Sequence, residues 1–292
     1  MDKAETHRAR INLAINYVAN NPLRPHTIEQ LAEVSHYSKY HFHRIFRALS
    51  GESVQEMVSR VRLESAAATL IYKSNRPVTR IAIDHGYSSG ANFTKAFTKH
   101  FGYSPSVYRN ENPRNRKNSK IGKNSSAHII NNNQLSKEVI TVHRPEIELA
   151  YLRCSGGFIQ KKISAMYREL LQWVEDRECV ATPSRSIGIT WSDSHIVDVE
   201  NWIYDACIAV QLGTNGEGPV GVQTLSGGLV AQFQIELEHG DSYNLSPYWD
   251  WFVGHWFVSS GYELRASPSY EWYVETDHSF IVRLCLPLES SS

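Results

Sequence analysis

Three sets of side chains have the types and spacing to do chemistry. Lys39, Tyr40, His43, Arg44 and Arg47 fall outside the apolar stripe of the run Thr27 to Leu49, TIEQLAEVSHYSKYHFHRIFRAL. All five carry donors suited to phosphate oxygens or to base edges. A second set, Asn92, Lys95 and Lys99, lies opposite the apolar stripe of His85 to Arg109, HGYSSGANFTKAFTKHFGYSPSVYR. The third set is of another kind. In the strand-like run Tyr270 to Val274, alternation puts Glu271 and Tyr273 on one face and Tyr270 and Trp272 on the other. A carboxylate beside an aromatic wall can hold a desolvated organic cation. Six of the seven tryptophans follow residue 190, Trp249 and Trp256 among them. Phe158, Trp191 and Tyr204 are further candidates for the same pocket.

Other chemistries are disfavoured. Cys154, Cys179, Cys207 and Cys285 have no metal or redox spacing and read as reduced core residues. His41 and His43 are two apart, so a helix points them apart. No nucleophile stands beside a base. The expectation is a protein that is not an enzyme and has no metal and no cofactor. Net charge is zero, yet residues 1–120 hold 19 Lys+Arg against 9 Asp+Glu and the remainder 11 against 21. The positive front suits a polyanion and the negative rear something different. No apolar run is long enough to span a membrane and the N-terminus lacks a signal-peptide core. The expected location is cytoplasmic, on the nucleoid.

The elements that position these side chains follow from periodicity and punctuation. A helix over about His7 to Asn20 buries Ile11, Ala14, Ile15 and Val18. Thr27 with Gln30 forms a capping box, and Ile28, Leu31, Ala32 and Val34 form a buried stripe. Ser38 caps a helix with His41, Phe42, Ile45, Phe46 and Leu49 inward, and Gly51 stops it. Val54 to Tyr72 is a spacer helix with Met57, Val58, Val61, Ala68 and Ile71 on one side, roughly 28 Å long at about 1.5 Å per residue. Val78 to Arg109 repeats the grammar: Val78, Ile81, Ala82 and Ile83 inward, Gly86 in a left-handed turn, Ser88 or Ser89 as cap, then Phe93, Ala96, Phe97 and His100 or Phe101 at helical spacing. Two helix-turn-helix units joined by a stiff spacer could place two recognition helices on one face of a duplex. Glu111 to Leu135 reads as a polar linker. Beyond Lys137 the period changes. Strands around Pro145, a helix from Ile159 to Arg177, strands Ile187 to Trp191 and Ile203 to Leu212, a strand Leu229 to Leu237, a helix Leu245 to Ser260, and strands Tyr270 to Val274 and Ser279 to Leu286 give strand, helix, strand, strand twice.

The first half resembles the DNA-binding domain of the AraC/XylS transcriptional regulators. Ile81, Ala82, Gly86, Tyr87, Phe93, Phe97, Phe101, Gly102, Pro105 and Tyr108–Arg109 fall where that signature places them. The resemblance implies double-stranded DNA as partner, with Tyr40, His43 and Arg44 reading bases from one helix and Gly90, Ala91, Asn92 and Lys95 from the other. Gly90 and Ala91 are smaller than the usual residues there. The second helix is then expected to supply mainly phosphate contacts and thymine-methyl packing. The second half resembles the GyrI-like effector-binding domain, through Tyr151 to Gly157, Leu229 to Gln234, the helix around Trp249 to Trp256, Gly261, Tyr270–Tyr273 and Leu286–Leu288. That resemblance implies a cleft for an amphipathic or cationic small molecule, with Glu271 at its charge-recognising position. The expected whole is multidomain: an all-α DNA-binding domain over 1–110, a linker over 111–136 and an α+β GyrI-like domain over 137–292. It is expected to be a regulator, most simply an activator of efflux or stress genes, that meets RNA polymerase and needs no second copy because one chain holds both reading helices. The alternatives are a small-molecule hydrolase with Glu271 as general base, and a structural rear domain on a ligand-independent DNA binder.

Overall fold

The computed structural model describes residues 3–72, 75–111, 139–155, 160–181, 186–191, 196–197, 202–237, 245–265, 267–275 and 280–289. The chain packs into two compact units, residues 17–130 and residues 1–16 together with 131–292. The expected linker lies, apart from Glu111, outside the described residues.

The helical unit takes most of its form from caps and aromatic stripes. Helix α1, Lys3–Ala19, belongs up to Asn16 to the other unit, where Ile11 and Ala14 are buried and Ile15 partly so, and only its last turn, with the buried Val18, belongs to this one. Helix α2, Ile28–Val34, starts on the capping box: Gln30 N donates to Thr27 Oγ1 and Thr27 N donates to Gln30 Oε1. Helix α3, Lys39–Ser50, is capped by Ser38 and ends at Gly51. Its Phe42 and Phe46 are fully buried, whereas His41, expected inward, is exposed. The imidazole falls beyond the edge of an apolar face that the two phenylalanines already fill.

Helix α4 is Val54–Tyr72. Its buried set, Val54, Met57, Leu63, Ala66, Ala67, Leu70 and Ile71, goes round more of the helix than the one-sided stripe expected. Val58, Val61 and Ala68 are only partly covered. A spacer packed by both helix pairs must be apolar on more than one side. Helix α5 is Val78–Asp84, α6 is Gly90–Phe101 with Ser89 as its cap, and α7 is Pro105–Glu111. Ile83, expected inward, is 53% exposed. Phe93, Phe97, Phe101 and Tyr108 stack in series at 5.4, 4.5 and 5.1 Å between neighbouring rings. Arg109 Nη2 donates to the Arg76 carbonyl at 2.7 Å, and Arg76 and Arg80 both reach Asp84, at 2.6 and 3.0 Å.

The strand-rich unit is one eight-stranded antiparallel sheet. Its strands are β1 Val139–Arg144, β2 Ile147–Ser155, β3 Ser186–Thr190, β4 Ile203–Ala209, β5 Gly221–Leu225, β6 Gly228–Leu237, β7 Tyr270–Glu275 and β8 Phe280–Pro287. The order β1-β6-β8-β7-β3-β4-β2-β5 is two four-stranded halves meeting at β7 and β3. This is the expected repeat with one strand added: β5 was not foreseen, because GVQTL is short and begins with glycine. Helix α8, Gln160–Asp176, buries Ile163, Met166, Leu170 and Val174 against Ala150, Leu152, Tyr204, Ala206 and Ile208. Leu171, expected on that stripe, is 42% exposed. In the second half α9, Ser246–Trp251, runs into a π-helical turn, Phe252–Phe257, and on into α10, Val258–Ser260. Phe233 of β6 packs against Trp251 and Phe252 at 5.0 and 5.6 Å.

Candidate nucleic-acid interface and effector site

The two helix-turn-helix units share one turn geometry. In the second, the Gly86 amide donates to the Ile83 carbonyl and the Tyr87 amide to the Ala82 carbonyl, with Gly86 at φ +77°. In the first, the His36 amide donates to Glu33 and the Tyr37 amide to Ala32, with His36 at φ +55°. Each turn delivers a capped helix whose phenylalanines point into the unit and whose polar side points out. On α3, Lys39, Tyr40, His43, Arg44 and Arg47 are all exposed, and Tyr40 is 72% so. Lys39 pairs with the exposed Glu29, a contact of little energetic weight between solvated groups. On α6, Ala91, Asn92, Lys95 and Lys99 are exposed and Gly90 partly so. Asn92 Nδ2 donates to Ser88 Oγ at 3.0 Å, which holds the amide over the start of the helix.

The second constellation is buried. Glu271, on β7, is 7% exposed and pairs in register with Gly188 of β3. Trp249 Nε1 donates to Glu271 Oε1 at 2.9 Å, and the Tyr273 hydroxyl donates to Glu271 Oε2. Tyr273 and Tyr204 hydroxyls lie 3.3 Å apart, and Tyr204 and Tyr167 hydroxyls 3.1 Å apart. Tyr167 closes the chain by donating to the Ile187 carbonyl at 2.8 Å. Burial pushes the Glu271 carboxyl above the ordinary carboxylate range, against the opposing pull of its bonds from Tyr273 and Trp249. Burial likewise pushes the hydroxyls of Tyr167, Tyr204 and Tyr273 well up, so they remain neutral donors. One carboxylate, three phenols and an indole form a polar core with aromatic walls and no cation of its own among the described residues.

Two features of this cluster escape a reading of the sequence. Tyr167 has the spacing of a core residue on α8, and only the fold turns its hydroxyl to Tyr204. Gly188 leaves room for that hydroxyl: a Cβ at residue 188 would lie 2.1 Å from the Tyr204 oxygen. Of the residues expected here, Tyr204, Trp249, Glu271 and Tyr273 are brought together. Trp256 sits further along the π-helical turn, stacked on Tyr262 at 6.3 Å and 5.4 Å from Phe252. Trp191 is on the other face of the sheet, where its Nε1 donates to Asp205 Oδ2 at 2.7 Å. There Asp205 also takes two bonds of 2.7 Å from Arg153. Strand parity decides this, because Tyr204 and Asp205 are neighbours on β4 and must point opposite ways. Phe158 lies outside the described residues.

Comparison with known proteins agrees with both halves. A helix-turn-helix domain model matches residues 31–111, and a model described as a GyrI-like small molecule binding domain matches residues 137–289. The chain is 40% identical over 100 residues to an uncharacterized HTH-type transcriptional regulator of Haemophilus influenzae, covering 34% of this chain and 33% of that one. It is 33% identical over 104 residues to the regulatory protein SoxS of Salmonella typhimurium, covering 36% of this chain and 96% of SoxS. Among solved structures, the C-terminal domain of AraT, a response regulator from Geobacillus stearothermophilus, is 28% identical with a TM-score of 0.33, covering 41% of this chain and 95% of that one. The matched region spans about a third of the length of the first curated relatives. Capped helix pairs with exposed basic faces, an eight-stranded sheet of two halves and the matches to each half lead to one conclusion: the chain belongs to the AraC-type helix-turn-helix proteins and carries a GyrI-like small molecule binding domain.

Proposed function

We propose that this protein is a cytoplasmic, sequence-specific DNA-binding transcription regulator, an activator of efflux or stress genes, whose strand-rich unit senses a small amphipathic cation. The reading of DNA rests on the exposed Tyr40, His43 and Arg44 of α3 and the exposed Asn92 and Lys95 of α6. Arginine can pair both acceptors of a guanine edge, and lysine and asparagine serve phosphate and base. RNA polymerase is the natural partner of an activator, and one copy of the chain carries both reading helices.

The observation that carries the effector reading is the buried Glu271 carboxylate, ringed by Trp249, Tyr273, Tyr204 and Tyr167. A buried carboxylate is costly unless paired. Indole and phenol donors offset part of that cost, and an organic cation would offset more while its apolar body meets the rings. A ligand that prefers one arrangement of the protein shifts its population and so its DNA affinity. The test is a titration of the whole protein with benzyltrimethylammonium, followed by tryptophan fluorescence, beside the uncharged neopentylbenzene. Saturable quenching by the cation alone, without turnover, supports a sensor. Equal response to both compounds, or consumption of the ligand, overturns it.

A further inference from the structure

Tyr167, Tyr204, Tyr273 and Glu271 form an unbroken run of oxygen contacts that starts on a main-chain carbonyl. The Tyr167 hydroxyl meets the Ile187 carbonyl at 2.8 Å and the Tyr204 hydroxyl at 3.1 Å. Tyr204 meets Tyr273 at 3.3 Å, and Tyr273 meets Glu271 Oε2. These are four contacts, and each needs one hydrogen. A phenol has one proton to give, so the three tyrosines fill three of them.

The carbonyl sets the direction. It can only accept, so the Tyr167 proton goes to Ile187. The hydrogen between Tyr167 and Tyr204 must then come from Tyr204, and the one between Tyr204 and Tyr273 from Tyr273. Nothing is left on Tyr273 for the last contact. A protonated Glu271 supplies that hydrogen, and the run is complete. With Glu271 ionised, Tyr273 turns its proton to the carboxylate, and two phenol oxygens face each other with no hydrogen between them. Other contacts of these phenols do not change this, because none of them puts a hydrogen between these oxygens. Nor does a neighbouring charge decide it. Facing Glu271 are Trp249 from α9, Tyr273 on its own strand, Gly188 across on β3 and Leu284 across on β8. Arg283 and Cys285 of β8 flank Leu284 and so alternate to the other face, as Asp205 does beside Tyr204 on β4. Burial raises the affinity of this carboxyl for its proton.

We propose that Tyr167, tied to the Ile187 carbonyl, is a positioning residue that acts through Tyr204 and Tyr273 to hold a proton on Glu271 in the ligand-free protein, and that a cation expels this proton when it binds. The second half rests on the reading of Glu271 as the partner of a cationic effector; the first half does not. On binding, the O–H bond of the Glu271 carboxyl breaks and its proton passes to solvent. Tyr273 swings its own proton from Tyr204 to the carboxylate, and the cation offsets the hydrogen bond lost between the two phenols. A run of phenols that only donated toward a carboxylate would act in the opposite sense, and loss of Tyr167 would then make Glu271 less acidic.

Carbon-13 NMR of the glutamate side-chain carboxyls in the whole, ligand-free protein follows the titration of Glu271, with Glu271→Gln to assign the signal. In Tyr167→Phe two contacts remain for two phenol protons, so the run no longer draws a proton from the carboxyl. The expected result is a midpoint lower by roughly half to one pH unit, the weight of one hydrogen bond, in Tyr167→Phe and again in Tyr204→Phe. The Trp249 indole proton should exchange no faster, since no water need enter. An unchanged or raised midpoint overturns the proposal. So does a drop that comes with faster indole exchange in both variants, because solvation then accounts for it. Calorimetry with benzyltrimethylammonium in two buffers of different ionisation enthalpy reads the second half. Below the midpoint of the unaltered protein about one proton should leave per cation bound, and fewer in Tyr167→Phe. Binding without proton release overturns the coupling. No binding at all overturns the effector reading and the coupling with it, while the ligand-free titration still decides whether Tyr167 holds the proton.

Discussion

Arg44 is exposed on α3 between two buried phenylalanines, Phe42 and Phe46. Its guanidinium is open to solvent, as the proposed reading of a base edge requires. Replacing it with alanine should weaken the cognate site by about 1–3 kcal/mol and relax the choice of one base. Gel-shift titrations on cognate and randomised duplexes check this, and equal loss on both would reduce Arg44 to a phosphate contact. Glu271 is the opposite case, held where water cannot solvate its charge. Because burial raises its pKa, the empty site keeps its proton above the usual carboxylate range near 4.5. A bound cation favours the ionised form. Cation affinity should then rise with pH from about the ordinary carboxylate value and level off once the buried carboxyl has ionised. Calorimetry at several pH values should show that rise, and Glu271→Gln should flatten it while weakening a neutral ligand less than a cation.

At the scale of the element, the paired turns give a controlled comparison. Gly86 and His36 occupy the same place in the same hydrogen-bond pattern, both at positive φ. A side chain in the left-handed region costs about 1–2 kcal/mol. Gly86→Ala should therefore destabilise the protein by about that amount, whereas His36→Gly should leave stability unchanged or raise it by up to about 1 kcal/mol. Urea denaturation of the two variants decides, and the same sign for both would refute the strain account. The comparison also shows where the residue pattern misleads. Glycine marks the second turn in the sequence, but nothing marks the first, where tertiary packing holds histidine in a shape it rarely takes.

The helical unit as a whole should respond to pH through two histidines, His85 and His26. His85 is buried, its Nδ1 donating to the Ile81 carbonyl at 2.8 Å and its Nε2 facing Ser65 Oγ at 3.3 Å. Burial is the main cause that lowers the pKa of His85 and His26 below the ordinary value of 6.5. A depressed folded value means the unfolded chain takes up protons first as the solution is acidified. The stability tied to the neutral rings is fully present above pH 6.5 and is lost as pH falls from there toward the folded values. Denaturation midpoints across that range should drop on acidification, and His85→Gln should lessen the slope. A flat profile in the unaltered protein would contradict the burial of these rings. No helix among the described residues is long and apolar enough to cross a membrane.

Much of what a local period or a single backbone preference can encode is legible in the residues alone, although periodicity turns His41, Ile83 and Leu171 inward and the structure leaves them exposed. The caps at Thr27, Ser38 and Ser89, the left-handed glycines, the span of α4 and the outward basic faces all depend on neighbours within a turn of helix. The parity of Glu271 and Tyr273 on β7 was legible for the same reason. What the chain could not show was which separate elements meet. Tyr167 on α8, Tyr204 on β4, Trp249 on α9 and Glu271 on β7 become one cluster only because β3 and β7 pair at the centre of the sheet and Gly188 leaves space between them. The same topology sends Trp191 to the far side. Contact between residues about 100 positions apart is set by strand order and packing, and no spacing in the sequence carries that information.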